Sequence, residues 1–317
     1  MKSAIIGFAV ACMTMTTCAS AGAPTQPVTA IVGYAAGGTA DIVMRQLAAL
    51  MQPKFPAGLI VLNKPGAGGS TALAGLSQSK PDGLQFAFAP NSNVALSPQV
   101  VALPYKNPDD FDHVIEVVSF SPVLLVAASS KYKNVADLIA EAKTASGKVS
   151  VGFPGVTTVS HFSAVSLERA TGASLIEVPF AGWGQGGPQL LGGQITSAIA
   201  QPPEAIPQIT AGTLRAIGSF SEQRQGSLPT VPTFKEQGYP ISFLARYLVV
   251  MPKGTPPQAS KYLHDAVKEA LETTQFKEFA KERGLEVTYR DGEAAKKASW
   301  ADYRNYAELL KQVGPLK

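Results

Sequence analysis

Short runs of β-branched and apolar residues alternate with longer segments of helical periodicity along most of this chain. Residues 28–34 form the first such run, which ends at the glycine pair Gly37-Gly38. Apolar residues then recur at the spacing of one helical face, at Val43, Leu47, Leu50 and Met51. This alternation of strand and helix predicts an α/β fold with mainly parallel sheets flanked by helices.

The predicted strands fall into two groups, which indicates two lobes with a cleft between them. Chain crossings near Ser121 and Ala245 would insert one lobe into the other. We therefore predict a discontinuous first lobe of residues 22–121 and 246–317, and a second lobe of residues 122–245. Such an arrangement is typical of a hinged clamp, in which a few residues at each crossing absorb the motion.

The N-terminal segment has the features of an export signal. Lys2 precedes an apolar run at residues 4–13 that is too short to span a bilayer, and Ala19-Ser20-Ala21 is a suitable cleavage site. We therefore expect residues 1–21 to be a signal peptide that directs the chain to the periplasm. In the alternative interpretation, Cys18 is the lipidated residue of a lipoprotein.

Cysteine usage and charge exclude several classes of function. Cys12 and Cys18 are the only cysteines, so an exported chain that begins at Gly22 would have no disulfide and no thiolate nucleophile. The net charge is +4 and only 16% of the residues are charged, with no basic block, which argues against nucleic acid as a partner. After residue 21, no apolar stretch approaches the roughly 18 residues of a membrane helix.

The first candidate binding site is the loop between the strand at residues 28–34 and the following helix. Its predicted ligand-binding residues are Tyr34, Ala36, Gly37, Gly38, Thr39 and Asp41, with Thr39 as the N-cap. The N–H groups of a first helical turn bind anions, and glycines let a ligand approach the backbone closely. A carboxylate or phosphate could therefore bind there without Arg or Lys. The alternative is a tight turn that binds nothing.

A second loop, at residues 152–161, also follows a predicted strand and opens a helix. It contributes Thr157, Thr158, Ser160 and His161 as candidate ligand-binding residues. Two anion-binding helix starts, one in each lobe, would suit a ligand with terminal oxygen atoms. The alternative is ordinary N-capping by one of the threonines. A hydrolase is disfavoured, because adjacent residues on a helix do not face each other and the chain lacks a G-x-S-x-G motif.

A third loop, at residues 180–187, places Trp183 among glycines. The indole could stack on a flat ligand or could equally pack against the protein surface. Cofactor and metal sites are not expected. The run from Gly66 to Thr71 begins like G-x-G-x-x-G but lacks the third glycine, and the three histidines are too widely spaced for a histidine-rich zinc site.

An ordered series of motifs resembles the substrate-binding receptors of tripartite tricarboxylate transporters, the Bug receptors. The strand and the residues Gly37, Gly38, Asp41 and Arg45 are similar to the opening of that family. Residues 63–69 resemble its N-[RK]-P-G-A-G-G block. The later landmarks are Pro81-Asp82-Gly83, Leu103-Pro104-Tyr105, Val178-Pro179-Phe180, Leu191-Gly192-Gly193-Gln194, Ala211-Gly212-Thr213-Leu214-Arg215, residues 228–233 and Pro252-Lys253-Gly254-Thr255-Pro256. They cover nearly the whole chain after residue 21.

The resemblance implies a two-lobed periplasmic-binding-protein fold that is type II-like, with the ligand in the interlobe cleft. It also implies that the ligand carboxylate is held at the first loop, through backbone amides, hydroxyls and bound waters. Asn91, the residues from Thr157 to His161, Ala181 and Gln201 should then line the cleft.

Two departures from the family pattern concern the identity of the ligand. Ala181-Gly182-Trp183 stands where relatives usually carry Lys-Gly-Ser, and Arg246-Tyr247 lies near the position of a missing tryptophan landmark. Trp183 favours an acid with an aromatic or apolar body. Arg246, if it faces the cleft, would pair with a second carboxylate.

We therefore predict a monomeric receptor that closes on a small carboxylic acid, hands it to the membrane components of a tripartite transporter and catalyses no reaction. The di- or tricarboxylates and aromatic acids are the expected ligand classes. The alternatives are a receptor that presents its ligand to a sensor protein, an exported enzyme on the same scaffold and a structural or adhesive protein.

Overall fold

The computed structural model describes residues 22–144 and 147–313, which form two β-sheets with helices on their faces. The predicted signal peptide, including Cys18, lies outside the described residues. The first sheet contains β1 (Val28–Val32), β2 (Leu59–Asn63), β3 (Gln85–Pro90), β4 (Phe111–Phe120), β10 (Ala245–Pro252) and β11 (Glu286–Asp291). The second sheet contains β5 (Val123–Ala127), β6 (Ser150–Pro154), β7 (Ile176–Phe180), β8 (Ser197–Ala200) and β9 (Leu214–Ser219).

Both sheets are mixed. The strand order is β11-β4-β10-β3-β1-β2 in the first sheet and β7-β6-β8-β5-β9 in the second. β1 pairs in parallel with β2 and β3, and β6 pairs in parallel with β7 and β8, whereas the other pairs are antiparallel. The two-lobed α/β prediction is confirmed, but the prediction of mainly parallel sheets is wrong. The chain enters the second sheet at β5 and returns to the first sheet at β10. Both strands pair antiparallel with their neighbours, so they do not need the crossover helix that joins parallel strands.

The helices cover the faces of the two sheets. They are α1 (Thr39–Met51), α2 (Ser70–Ser77), α3 (Asn91–Ala95), α4 (Ser97–Val100), α5 (Val135–Thr144), α6 (Val159–Thr171), α7 (Trp183–Leu191), α8 (Pro202–Thr210), α9 (Pro257–Glu272), α10 (Thr274–Glu282) and α11 (Gly292–Val313). Within the described ranges, no helix has the length and apolarity needed to cross a membrane. The sequence did not predict α10 or β11. β11 is an edge strand with exposed and half-buried charged residues, so it lacks an apolar run.

Each sheet has its own apolar core. In the first, Val43 and Leu47 of α1 pack in one cluster with Leu263 and Val267 of α9. In the second, alternate residues of β5 point to opposite faces: Leu124 and Val126 contact one cluster, and Val123 and Leu125 contact another. The chain passes between the sheets at residues 121–122 and 220–244, which lie between β4 and β5 and between β9 and β10.

A group of charges around the buried Glu116, which we call the Arg246 cluster, joins the first sheet to α11. Arg246 pairs with Glu116 of β4 (Nε–Oε2 3.4 Å) and with Asp302 of α11. Glu116 also pairs with Arg290 of β11. The Asn91 Nδ2 donates to Asp302 Oδ2 (2.8 Å), and Asn91 Oδ1 accepts from the Arg246 N–H (3.1 Å). Burial raises the pKa of the Glu116 carboxyl, and the two arginines oppose that shift.

We expect Arg246→Met to lower the free energy of unfolding by about 3 kcal/mol, because the buried Glu116 and the partly buried Asp302 would both lose a cation. Urea unfolding would measure the change. Lys253→Met is the control, since it removes an exposed pair with Asp112 and should cost no more than about 1 kcal/mol. Equal losses in the two variants would contradict a structural role for the Arg246 cluster.

Candidate functional site

Four strand-to-helix loops from the two sheets meet around one small cavity. They connect β1 to α1, β6 to α6, β7 to α7 and β8 to α8. The cavity measures about 20 Å³, which is room for roughly one water molecule. Among the predicted site residues, those that line it are Tyr34, Gly38, Thr39, Thr158 and Gln201. The cleft between the sheets is therefore closed.

A larger groove of about 1540 Å³ lies elsewhere, next to the segment at residues 220–244. The described residues that line it include Phe220, Phe243 and Arg246 but none of the predicted ligand-binding residues. We therefore place the candidate site in the small cavity, where the ends of parallel strands and the starts of helices converge.

The first loop is held in shape by Asp41. Its Oδ2 accepts from the Gly37 N–H (3.0 Å), and its Oδ1 accepts from Arg45 Nε (2.8 Å) and Asn63 Nδ2 (2.9 Å). Burial alone would raise the pKa of the Asp41 carboxyl, but these hydrogen bonds outweigh it and lower the pKa. Asp41 thus positions the loop and does not line the cavity. Ala36 and Gly37 are exposed and do not line it either.

The start of α1 differs from the predicted N-cap. Gly38 is the N-cap, with an extended backbone (φ −81°, ψ 167°), and Thr39 is the first helical residue. The Thr39 N–H is directed towards the second sheet, where it donates to Glu204 Oε1 at 2.8 Å. A carboxylate therefore occupies the helix start that the sequence predicted as an anion site, and this carboxylate belongs to the protein.

Glu204 lies in the first turn of α8, and its second oxygen, Oε2, accepts from the Gln201 N–H (3.2 Å). The residue is 7% exposed, and burial raises the pKa of its carboxyl, although the N–H donors of Thr39 and Gln201 oppose the shift. The sequence analysis missed Glu204. An acid in the first turn of a helix is ordinarily explained by the helix dipole, so it carries no signal of its own.

The second loop uses most of its polar groups internally. Thr158 is the N-cap of α6, and its Oγ1 accepts from the His161 N–H (3.2 Å). His161 Nδ1 accepts from the Thr157 N–H (3.2 Å), which leaves the ring proton on Nε2, 3.2 Å from Glu177 Oε2. Burial lowers the pKa of His161, and Glu177 opposes that shift. His161 is thus a buried, neutral residue that stabilises the loop, and Thr157 contacts Ser97 of the first lobe (Oγ1–Oγ 3.3 Å).

Three buried polar atoms at the cavity have no hydrogen-bond partner among the described residues. They are the hydroxyls of Thr39 and Ser92 and the Oε1 atom of Gln201. The amide of Gln201 is otherwise held by Ser160, whose Oγ accepts from Gln201 Nε2 at 3.1 Å. Buried polar groups are rarely left unpaired, because each costs free energy comparable to a lost hydrogen bond. These atoms are therefore candidates for contact with a polar ligand.

The third loop approaches the first one through its backbone, and its tryptophan does not reach the cavity. The Ala35 N–H lies 3.5 Å from the carbonyl oxygen of Ala181. Trp183 is 6% exposed and packs edge to face on Phe180 (ring centroids 6.2 Å apart) in the core of the second sheet. In this closed structure Trp183 therefore packs in the core of the second lobe, and its contact with a ligand stays a prediction.

Two further residues that the sequence analysis associated with the ligand also lie away from the cavity. Asn91 does not line the cavity, because both ends of its amide are engaged in the Arg246 cluster. Arg246 itself contacts Glu116 and Asp302 and is not available to a second ligand carboxylate in the cavity. Tyr247 lines the cavity in its place and stacks on Phe88 (ring centroids 5.0 Å apart).

Glycines allow the backbones of the two lobes to come into contact. A Cβ on Gly68, in the loop before α2, would overlap the carbonyl oxygen of Val156, and a Cβ on Gly155 would lie 2.6 Å from the Gly68 Cα. The Tyr34 hydroxyl stabilises this contact by donating to the Gly68 carbonyl oxygen (2.7 Å). Closure therefore requires backbone without side chains at both positions.

We expect Gly68→Ala to weaken ligand binding at least about tenfold, because the methyl group blocks closure. Isothermal titration calorimetry would measure the affinity. Gly172→Ala is the matched control: Gly172 has a similar backbone (φ +66° against +61°), but a Cβ there meets no atom within 4 Å. The control variant carries the backbone strain without the clash, so an equal loss of affinity in both variants would argue against closure at Gly68.

Comparisons with known proteins are consistent with this geometry. The family model described as tripartite tricarboxylate transporter family receptor, TctC, matches residues 43–314. The chain is 31% identical over 300 residues to the UPF0065 protein in the gbd 5′ region of Cupriavidus necator, which covers 93% of this chain and 89% of that protein. The structure of the periplasmic binding protein BugD superposes with a TM-score of 0.85 at 27% identity, covering 92% of this chain and 99% of BugD.

A third protein, MatC from Rhodopseudomonas palustris with bound malate, has the same fold, with a TM-score of 0.86 at 24% identity over 90% of this chain and 99% of MatC. The predicted periplasmic-binding-protein fold is thereby confirmed. Since the family model covers most of the chain and the ordered motifs agree with it, the chain belongs to the receptor family of tripartite tricarboxylate transporters, the Bug receptors.

Proposed function

We propose that this chain is an exported receptor that captures a small carboxylic acid for a tripartite tricarboxylate transporter and catalyses no reaction. One observation carries the proposal: the Thr39 N–H at the start of α1 lies 2.8 Å from a carboxylate oxygen, that of Glu204. A carboxylate thus fits this helix start without a cation. None of the described residues that line the cavity is Lys or Arg.

The mechanism is a clamp. In this proposal one lobe is the predicted residues 22–121 and 246–317, and the other is the predicted residues 122–245. The start of α1 falls in the first lobe, and the loops before α6, α7 and α8 fall in the second. In the open form the ligand carboxylate binds the Thr39 N–H, whose partial positive charge is reinforced by the helix dipole. Closure then adds contacts from Thr158 and Gln201, and the closed form is favoured only by those added contacts.

Binding without turnover is supported by polar side chains near the cleft that are engaged in hydrogen bonds within their own lobes. His161 uses both ring nitrogens in contacts within the second lobe, so it lacks a free base position. Asp41 is held by three donors in the first loop. Within residues 22–144 and 147–313, no three His, Cys, Asp or Glu side chains are placed to hold a metal ion. Receptors of this family bind solutes for transport.

The location follows from the N-terminal signal and the family. We propose that residues 1–21 are removed on export and that the remaining chain acts as a monomer in the periplasm, where the structurally similar BugD is described as a periplasmic binding protein. Its partners would be the acid and the membrane components of the transporter, without nucleic acid.

The class of acid can be found by thermal unfolding of the exported chain against a panel. The panel contains malate and other dicarboxylates, tricarboxylates, amino acids and aromatic acids, each paired with its amide. A ligand at about a hundred times its Kd adds roughly 2.7 kcal/mol of stability, which should raise the Tm by at least about 2 °C. We expect a shift with one class of acid and none with its amide. Folded, ligand-free protein that responds to no acid would contradict the proposal.

The role of the helix start can be tested separately with Thr39→Pro. Proline is well tolerated at the first position of a helix and Gly38 has the extended backbone that precedes proline, so the variant removes the N–H donor and preserves α1. We expect the affinity for the acid to fall roughly 10- to 100-fold, as for loss of a hydrogen bond to a charged group. Thr39→Ala keeps the N–H and is the control. Equal affinities of the two variants would exclude the Thr39 N–H as the donor.

A further inference from the structure

Glu204 places a carboxylate of the second lobe at the helix start to which the proposed function assigns the carboxylate of the ligand. Its Oε1 accepts from the Thr39 N–H at 2.8 Å, across the cleft, while Oε2 accepts from Gln201 of its own loop. From this arrangement we infer that Glu204 is an intramolecular competitor of the ligand, which occupies the carboxylate site in the ligand-free closed form and thereby sets the affinity of the receptor for acids. The inference rests on the proposed function.

Glu204 and a ligand carboxylate exclude each other for reasons of space and charge. The remaining cavity of about 20 Å³ holds roughly one water molecule, which is far less than a carboxylic acid occupies. Two carboxylates at one helix start would also repel each other, and the described lining contains no Lys or Arg to neutralise the second charge. The ligand can bind only when the Glu204 side chain has left the Thr39 N–H.

The unpaired polar atoms indicate how a ligand displaces Glu204. With Glu204 in place, the hydroxyls of Thr39 and Ser92 and the Oε1 atom of Gln201 remain without partners in the described structure, although all three side chains are more than nine-tenths buried. Glu204 therefore fills the site incompletely. An acid that carries further hydrogen-bonding groups next to its carboxylate would satisfy these atoms, and this gain would offset the loss of the Glu204 contact.

The plain alternative is that Glu204 is only an acid that stabilises the first turn of its own helix. That role is fulfilled by Oε2, which accepts from the Gln201 N–H. It does not require Oε1 to reach Thr39, which is 165 positions away in the sequence and in the other lobe. The alternative predicts that removal of the carboxylate lowers stability and leaves the affinity for acids unchanged.

The experiment compares the wild type with Glu204→Ala and Glu204→Gln in titrations with malate and with the acid that gives the largest thermal shift. Alanine removes the competitor, and glutamine keeps its size and its acceptor but not its charge. We expect the affinity to rise at least about tenfold in the alanine variant and by a smaller factor in the glutamine variant. If the alanine variant does not fold, the increase in the glutamine variant decides the test.

Asp137→Ala is the matched control, because Asp137 is an acid in the first turn of α5, where it accepts from the Lys133 N–H (2.7 Å) away from the cleft. Its affinity for the acid should equal that of the wild type. Wild-type affinity in the Glu204 variants would overturn the inference and leave the proposed function intact. An acid that binds the variants but not the wild type would support both. If no acid binds any of the proteins, the proposed function fails, and the inference fails with it.

Discussion

The start of α1 is the feature around which the cleft is built. The first amides of α1 have no partner within the helix, and their partial positive charge favours an anion. The protein presents them by ending β1 at a glycine loop that Asp41 holds through Arg45, Asn63 and the Gly37 N–H. Arg45 thus pairs with Asp41 and does not line the cavity. Recognition is left to backbone dipoles, which are fixed in direction and do not have to be ordered when a ligand binds.

The charged side chains have the complementary task of holding the frame. Arg246 and Glu116 lie in neighbouring strands of the first sheet, and Asp302 brings α11 against them. Removing ions from water is costly, so such a cluster is stable only where each charge is paired. Arg246 lies at the start of β10, the strand by which the chain returns from the second sheet to the first. The next residue, Tyr247, lines the cavity. A rigid return strand gives the closing lobe a fixed surface to meet.

Local sequence patterns predicted the loops of the site well and the directions of individual side chains poorly. A strand that runs through glycines into a helix is a short-range signal, and the loops before α1, α6 and α7 do meet at the cleft. The packing of Trp183 could not be predicted, because a glycine-rich loop does not reveal which face of the next helix is buried. The pair Asn91–Asp302 spans 211 positions and the contact Thr39–Glu204 spans 165, so no local pattern could reveal either one. The signal peptide stays a prediction, since residues 1–21 lie outside the described structure.

The closed cleft is consequently a compromise between two kinds of contact. Glycines at positions 68 and 155 allow the backbones of the lobes to touch, which needs no ligand. Glu204 accepts one hydrogen bond across the same cleft but leaves three polar atoms at the cavity unpaired. The backbones of the closed lobes therefore already fit, whereas the hydrogen bonding at the cavity is incomplete. A ligand that completes those hydrogen bonds stabilises the closed state by the difference in free energy between its own contacts and those of Glu204. A transporter that binds the surface of the closed form would then respond to the larger population of that form.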